Sequence, residues 1–497
     1  MRLQKMCIGW SFVFILLMQC CVLAVEDANS LYQQGRALER EKRFSDALTF
    51  YQRVIAEYPD SRYAGPDYAG YKAKHVFCRI VLEKGEIALA KEIVKQIENL
   101  APLPKRKPHQ LYWTGKLFDD KQFDSDALVL YKRILTDYPD SRYAGPDYAD
   151  YRAKYISCRM ALENGDIALA KELAKQIKNL TSSPVQKPSQ LYWTGKLLFD
   201  TKKLDTDALL FFEQVIASYP NSKYADPNHA GFRAKYVSCR QALEKDDIAS
   251  AKGLAEQIKN LASSQEQKSG QLYWTGRLFE GKALKSFDGG GSTATAMFDT
   301  SESFYRKIIQ DNASGDHYQM AAIRLDVLAA LRTLNNGDIS TAKAAINTIK
   351  TKYANSEYLH GALYVIAEGY YLTGLSNNQK EFFQESISMF ENDVLAITTC
   401  KASTYYMLGL NYQQLKDYAK AAEAFEKSYQ TEPKFKYADY CLFAAGDCNL
   451  RMADLGQIEL LAGQQKAKVF FGQLESEFPQ SNYLVSVLKN DVRINSK

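Results

Sequence analysis

Nine residues, Gln110-Leu111-Tyr112-Trp113-Thr114-Gly115-Lys116-Leu117-Phe118, return almost unchanged from Gln190 and again from Gln271. Leu111 to Leu191 is 80 residues and Leu191 to Leu272 is 81, so the chain repeats one unit instead of closing a single globular core. That period overrides the length prior, which for 497 residues suggests three domains of about 150 residues. A hydrophobic content of 46% supplies a core, and 33 tyrosines suit helix packing in which a polar tip reaches water.

The first residues form a separate segment. Arg2 and Lys5 precede an apolar run from Ile8 to Met18, and Val22-Leu23-Ala24 places small residues where a peptidase would cut. This predicts a secretory signal over residues 1–24 and an exported, periplasmic chain. Cys20 follows Gln19 and Cys21 follows Cys20, which does not suit a lipidation site. Without this segment the formal charge falls from +5 to +3, because Arg2 and Lys5 leave and no acid does. So even a balance does not suit nucleic acid or an anionic membrane as main partner.

Six cysteines remain after residue 24. Cys78, Cys158 and Cys239 keep the long period and are expected to be small core residues, each far from its copies. Cys441 and Cys448 could share a helical face, but seven residues rise about 10.5 Å, beyond the reach of a disulfide. Cys400 completes the set.

Between Ser30 and Pro59 the apolar and small positions Leu31, Gly35, Leu38, Ala47, Tyr51 and Val54 predict two antiparallel helices, the second stopped by Pro59. Gly35 and Ala47 are small where the helices cross, and Tyr51 fills the next layer. The same offsets recur at Leu111, Gly115, Phe118, Ala127, Tyr131, Ile134 and Pro139, and at Tyr405, Leu408, Gly409, Tyr412, Ala421, Phe425 and Pro433. This pattern resembles the tetratricopeptide repeat (TPR), an aromatic, Leu-Gly, Tyr, Ala, Phe and Pro over about 34 residues. Other hairpins carry Cys78 or Cys158 in the glycine position, opposite Ala90 or Ala170, with turns at Lys84-Gly85-Glu86 and Asn164-Gly165-Asp166. Asn336-Gly337-Asp338 repeats that turn.

The resemblance implies an all-α, right-handed TPR solenoid of about eleven helix-turn-helix hairpins. Residues 25–268 form a regular array of three two-hairpin modules, 28–107, 108–187 and 188–268. A diverged hairpin follows at 269–322 and irregular TPR-like hairpins at 323–497. Ser286 to Thr300, with Gly289-Gly290-Gly291, is expected to be a flexible surface insertion, since no Gly-Lys-Ser/Thr follows to make a phosphate loop. Tyr58-Pro59-Asp60-Ser61, Tyr138-Pro139-Asp140-Ser141 and Phe478-Pro479-Gln480-Ser481 resemble exported bacterial TPR proteins of the Tol-Pal and outer-membrane assembly type.

Family geometry places the second, fifth and ninth positions of each unit on a concave groove. The fifth and ninth are Tyr32 and Arg36, His75 and Arg79, Tyr112 and Lys116, Tyr155 and Arg159, Tyr192 and Lys196, Tyr236 and Arg240, and Tyr273 and Arg277. A ring and a cation four residues apart share a helical face, and such a ladder suits an acidic or carboxylate-terminated peptide. Lys72, Arg152 and Arg233 at second positions add base. The competing expectation is self-pairing, as Glu83, Glu163 and Glu244 stand four residues after Arg79, Arg159 and Arg240. Trp113, Trp193 and Trp274 are expected in the core between neighbouring hairpins. The ladder ends at Arg277; the next equivalents, Val327 and Leu331, Ile366 and Tyr370, and Tyr406 and Leu410, are largely apolar.

The five histidines are scattered, and no catalytic, cofactor or metal-ligand motif occurs. The expectation is a non-enzymatic scaffold for a protein or peptide in a bacterial envelope, with association to the outer membrane or cell wall. A carbohydrate-binding or cell-wall scaffold is the alternative, its tyrosines stacking on sugar rings.

Overall fold

The structure, a computed structural model, describes residues 27–201, 204–287, 292–311, 315–397 and 399–488. The signal segment and Gly289 to Gly291 lie outside these residues. Among them the chain is built of helices and divides into two compact units, one up to Asp226 and one from Pro227. That division falls within the third module.

The first unit pairs α1 (Ala28–Arg40) with α2 (Phe44–Glu57), α3 (Ala69–Glu83) with α4 (Ile87–Glu98), and α5 (Lys107–Asp120) with α6 (Asp124–Asp137). It continues with α7 (Ala149–Glu163) and α8 (Ile167–Asn179), then α9 (Lys187–Asp200) and α10 (Asp205–Ser218). In the second unit the pairs are α11 (Ala230–Glu244) and α12 (Ile248–Lys259), α13 (Gln265–Lys285) and α14 (Ser292–Asp311), and α15 (Asp316–Asn335) and α16 (Ile339–Lys352). Then come α17 (Leu359–Asn377) and α18 (Lys380–Met389), α19 (Lys401–Gln414) and α20 (Tyr418–Thr431), and α21 (Ala438–Asp454) and α22 (Leu460–Glu477).

Helix crossings explain the repeated small residues. A Cβ on Gly35 would stand 2.7 Å from the Tyr51 ring, on Gly276 2.8 Å from Tyr305, and on Gly409 2.6 Å from Phe425. No larger side chain fits there without moving the ring. Where cysteine replaces glycine, Cys78, Cys158 and Cys239 are buried and their thiols face the carbonyls of Ala90, Ala170 and Ala251 at 3.8, 3.4 and 3.4 Å. Gly85 and Gly165 hold φ of +78° and +75° in the turns that join these hairpins, a conformation that side chains resist. Asp166 then caps α8 by accepting from the Leu169 amide at 3.0 Å, whereas Glu86 makes no such bond to α4.

The linkers between modules differ in sequence yet are fixed in one way. The ammonium of Lys187 donates to the carbonyls of Ile177, Lys178 and Leu180 at 3.0, 2.8 and 2.6 Å. Lys107 does the same for Ile97, Glu98 and Leu100, and Lys268 for Ile258 and Leu261. Each lysine satisfies carbonyls that a helix end leaves without partners, at the negative end of its dipole. The glutamine that opens the repeated motif supplies a second tie: Gln110, Gln190 and Gln271 donate to the carbonyls of Pro66, Pro146 and Pro227 at 2.7, 2.8 and 2.9 Å.

The expected flexible insertion is corrected over residues 292–300. These residues are the first turns of α14, with Ala294, Met297 and Phe298 fully buried and Phe287 edge-on to Phe298 at 6.0 Å. Their spacing of three and four is helical. Because α13 is also long, with Phe279, Ala283 and Leu284 buried, the extra residues lengthen both helices of the hairpin and extend its core. No described helix is long and apolar enough to cross a membrane.

Candidate functional site

On the motif helix α5, Leu111, Tyr112, Thr114, Gly115, Leu117 and Phe118 are buried. Trp113, Lys116 and Asp120 lie on the remaining stripe, three and four residues apart. The tryptophans are therefore exposed, by 41% at Trp113, 42% at Trp193 and 52% at Trp274, and the expectation of core tryptophans is corrected. The neighbouring tyrosines take the core position. Tyr112 lies 5.7, 5.6 and 5.3 Å from the rings of Tyr131, Tyr143 and Tyr148, and Tyr32 packs likewise among Tyr51, Tyr63 and Tyr68. Loop tyrosines thus close over the side of the helix that family geometry leaves open.

The ladder is consequently not one open stripe. Tyr32, His75, Tyr112, Tyr192 and Tyr273 are buried, and Tyr155 and Tyr236 half-buried. Its cations have partners nearby: Lys116 pairs with Asp120 at 2.7 Å, Lys196 with Asp200 at 2.8 Å, and Arg277 with Glu280. Arg159 is bound to Asp124 and, at 3.1 Å, to Asp119. Arg79 stands 4.7 Å over the Phe44 ring, and Arg36 donates to Gln33 at 3.4 Å. Arg240 is half-buried on α11.

Beneath this surface lie acids that the sequence reading missed. Glu39 accepts from Lys72 at 3.0 Å and from the Tyr51 hydroxyl at 2.9 Å. Burial opposes its charge, but the Lys72 field and hydrogen bonds from Lys72 and Tyr51 overcome that cost and hold its pKa below the usual value. Asp119 holds Arg152 at 2.9 Å as well as Arg159. Glu280, fully buried, binds Arg277, Arg324 at 3.1 Å and the Tyr305 hydroxyl at 2.7 Å. In the third module Phe199 and Phe212 replace acid and phenol together, their rings 6.5 Å apart. The signal was available: an acid twelve positions into the motif-bearing hairpins, and a tyrosine that is lost with it.

These networks make a differential prediction. The Tyr131 hydroxyl is buried with no hydrogen-bond partner, so Tyr131→Phe should leave stability unchanged or raise it by up to about 1 kcal/mol. Tyr305→Phe removes a hydrogen bond to a carboxylate and should cost about 1.5–3 kcal/mol. Urea unfolding of the two variants beside the native chain separates the cases.

A cleft of 540 Å³ spans α5, α7 and α9. Trp113 and Trp193 stand in its wall with Tyr151 and Tyr155, and the paired Asp119, Arg152 and Arg159 reach it from below. His75, 5% exposed, lies with Nε2 3.4 Å from the Trp113 carbonyl, and burial pushes its pKa down to about 3. An unfolded histidine titrates near 6.5, so the neutral ring contributes stability that is complete above that pH and is lost as pH falls toward 3. Between neutrality and about pH 5 the loss should reach about 2 kcal/mol. His75→Gln should remove this part of the pH dependence, read from urea midpoints at both pH values.

Together the fold and this face define a helical-hairpin repeat protein with an indole-lined cleft. Among the described residues no group of His, Cys, Asp and Glu could hold a metal ion. Residues 29–61, 191–222 and 402–435 match profiles of the tetratricopeptide repeat, so the resemblance read from the sequence is supported in three separate parts of the chain. No curated protein sequence matches the chain. Solved structures similar to it include a tetratricopeptide repeat protein from Parabacteroides merdae, at 14% identity over 60% of this chain and 98% of that one, TM-score 0.36. Yeast Tom70 aligns at 9% identity over 93% and 99%, TM-score 0.30. A Rap protein complexed with competence and sporulation factor aligns at 12% over 82% and 98%, TM-score 0.31.

Proposed function

We propose that this chain is a non-enzymatic scaffold of the bacterial cell envelope that holds a protein or peptide partner on its motif helices. One observation carries the reading. Of the nine repeated residues, Gln ties a loop, Thr114 Oγ1 donates to the Gln110 carbonyl at 2.8 Å, Gly admits a ring, and Leu, Tyr and Phe118 are buried. Trp packs edge-on against the tyrosine before it, at 5.5, 5.3 and 5.3 Å in the three copies, yet the rest of the indole stands exposed in each. Exposed indoles are rigid, low-entropy anchors for a partner, and Lys116, Lys196 and Arg277 three residues on place a charge beside each. The envelope setting is supported by the signal-like residues 1–24 and the Tyr-Pro-Asp-Ser likeness to Tol-Pal and outer-membrane assembly repeat proteins.

The test is a crosslinking pull-down from the envelope fraction, comparing the native chain with Trp113→Ala/Trp193→Ala/Trp274→Ala. A partner held by the native chain should be weakened about thirtyfold or more, as when hot-spot anchors are removed. Equal capture by both overturns the reading. A second reading, a carbohydrate-binding scaffold, draws on the cleft between Trp113 and Trp193, whose mutually paired charges suit a neutral, hydroxyl-rich ligand. Capture that persists after wall polymer is digested counts against it.

A further inference from the structure

The anionic ligand suggested by the sequence ladder finds its cations elsewhere. Every ladder cation from Arg36 to Lys196 is engaged by its own neighbours. A second cavity, of 770 Å³, lies between the linker before α5 and the loop after α6. Lys105 and Arg106 enter it from the linker and Arg142 from the loop. All three are exposed, and among the described residues none is in an ion pair. Arg142 donates to the Tyr143 hydroxyl at 2.7 Å and lies 4.8 Å over that ring, while Arg106 lies 5.8 Å over Tyr68. The guanidinium groups are thus steadied by aromatic rings and keep donors free for a ligand.

Of the two acids at the same cavity, Asp137 is bound to Arg133 at 3.2 Å, leaving Asp140 to oppose three cations. The field felt by His109, which lines this cavity, reports the imbalance. Burial pushes its pKa down to about 4, and Lys72, Arg106 and Arg142 add to that push with no acid against them. His109 also joins this cavity to the indole face, its ring edge-on to Tyr143 at 5.3 Å and to Trp113 at 6.4 Å. Pro104, Pro108 and Pro139 form stiff walls that need little ordering.

Arg142 recurs as Arg62 and Lys223, each over the following tyrosine, but the two linker cations are particular to this module. Where Lys105, Arg106 and His109 stand, the next module has Val185, Gln186 and Ser189. Resting on the partner-binding reading above, we infer that this cavity receives an acidic, Asp- or Glu-rich peptide segment of the partner anchored on Trp113. Three cations spread over two loops around 770 Å³ fit an extended run of carboxylates better than one compact phosphate. Such recognition speeds encounter and weakens with salt.

The probe is a fluorescein-labelled oligoglutamate of about ten residues, titrated by anisotropy against the full chain at about 50 and about 300 mM salt. Binding should weaken with salt and fall about tenfold or more in Lys105→Glu/Arg106→Glu/Arg142→Glu, while oligolysine does not bind. Since these side chains are exposed, the variant should melt with the native chain. Absence of oligoglutamate binding, or equal binding by both proteins, overturns the inference. Inorganic phosphate that competes as well as the peptide at equal charge overturns the peptide assignment. In the crosslinking assay, capture undiminished by the charge reversal but lost by the tryptophan variant removes this inference and leaves the indole reading standing; loss in both supports it.

Discussion

Asp119→Ala should destabilise the first unit by about 3 kcal/mol, because it leaves Arg152 and Arg159 partly buried without their shared carboxylate. The pair cannot simply rehydrate: Asp119 is nearly buried and Arg159 is 19% exposed. Asp124 continues to hold Arg159, so the loss falls at the lower end of what breaking a buried pair costs. Urea unfolding followed by tryptophan fluorescence reads it, since Trp113 and Trp193 line the cleft above the network. A change below about 0.5 kcal/mol would mean that water solvates these guanidinium groups and the network is a surface one.

Lys187→Met should cost about 2–3 kcal/mol, close in size but different in kind. Methionine fills the space of the stem, so packing is nearly kept. What is lost is the charge that satisfies the carbonyls of Ile177, Lys178 and Leu180 at the end of α8. Hydrogen exchange should therefore quicken in the last turn of α8 before it changes elsewhere. Val185→Ser in the same linker is the contrast: Val185 is 80% exposed, and its replacement should be silent. Equal stability of Lys187→Met and the native chain would show that water caps these carbonyls as well as lysine does.

The hairpins were legible because the marks that specify them are local. Gly35 against Tyr51, cysteine in the glycine position against Ala90, and Gly85 or Gly165 in the turn each encode one contact or one backbone conformation within about twenty residues. The burial of Tyr112 and exposure of Trp113 were not legible. Adjacent residues on a helix differ by about 100°, so a small error in which side faces the core exchanges them. Here that side is set by Tyr143 and Tyr148, which arrive from a loop more than thirty residues on.

The candidate site shows the same division. Spacing brought cations such as Lys116, Arg159 and Arg277 to notice, but not their partners. Arg159 was read with Glu163 one turn on, and instead reaches Asp119 and Asp124 on the preceding hairpin. Helical periodicity reports neighbours along one helix and is silent about neighbours across two. The linkers mislead in the opposite sense, since their variable residues conceal one lysine whose contacts recur at Lys107, Lys187 and Lys268.

The exchange of acid and phenol for Phe199 and Phe212 bears on how such a repeat can change by mutation. The two half-steps are unequal: a phenylalanine opposite a retained phenol strands a buried hydroxyl, whereas an acid opposite a new phenylalanine loses a donor only where the phenol bonds it, as Tyr305 bonds Glu280. The two sites are therefore epistatic, and their history has a preferred order. Tyr131, whose hydroxyl already lacks a partner beside a functioning Asp119 network, marks the phenol as the residue that can go first, after which loss of the acid is the step that must be crossed quickly.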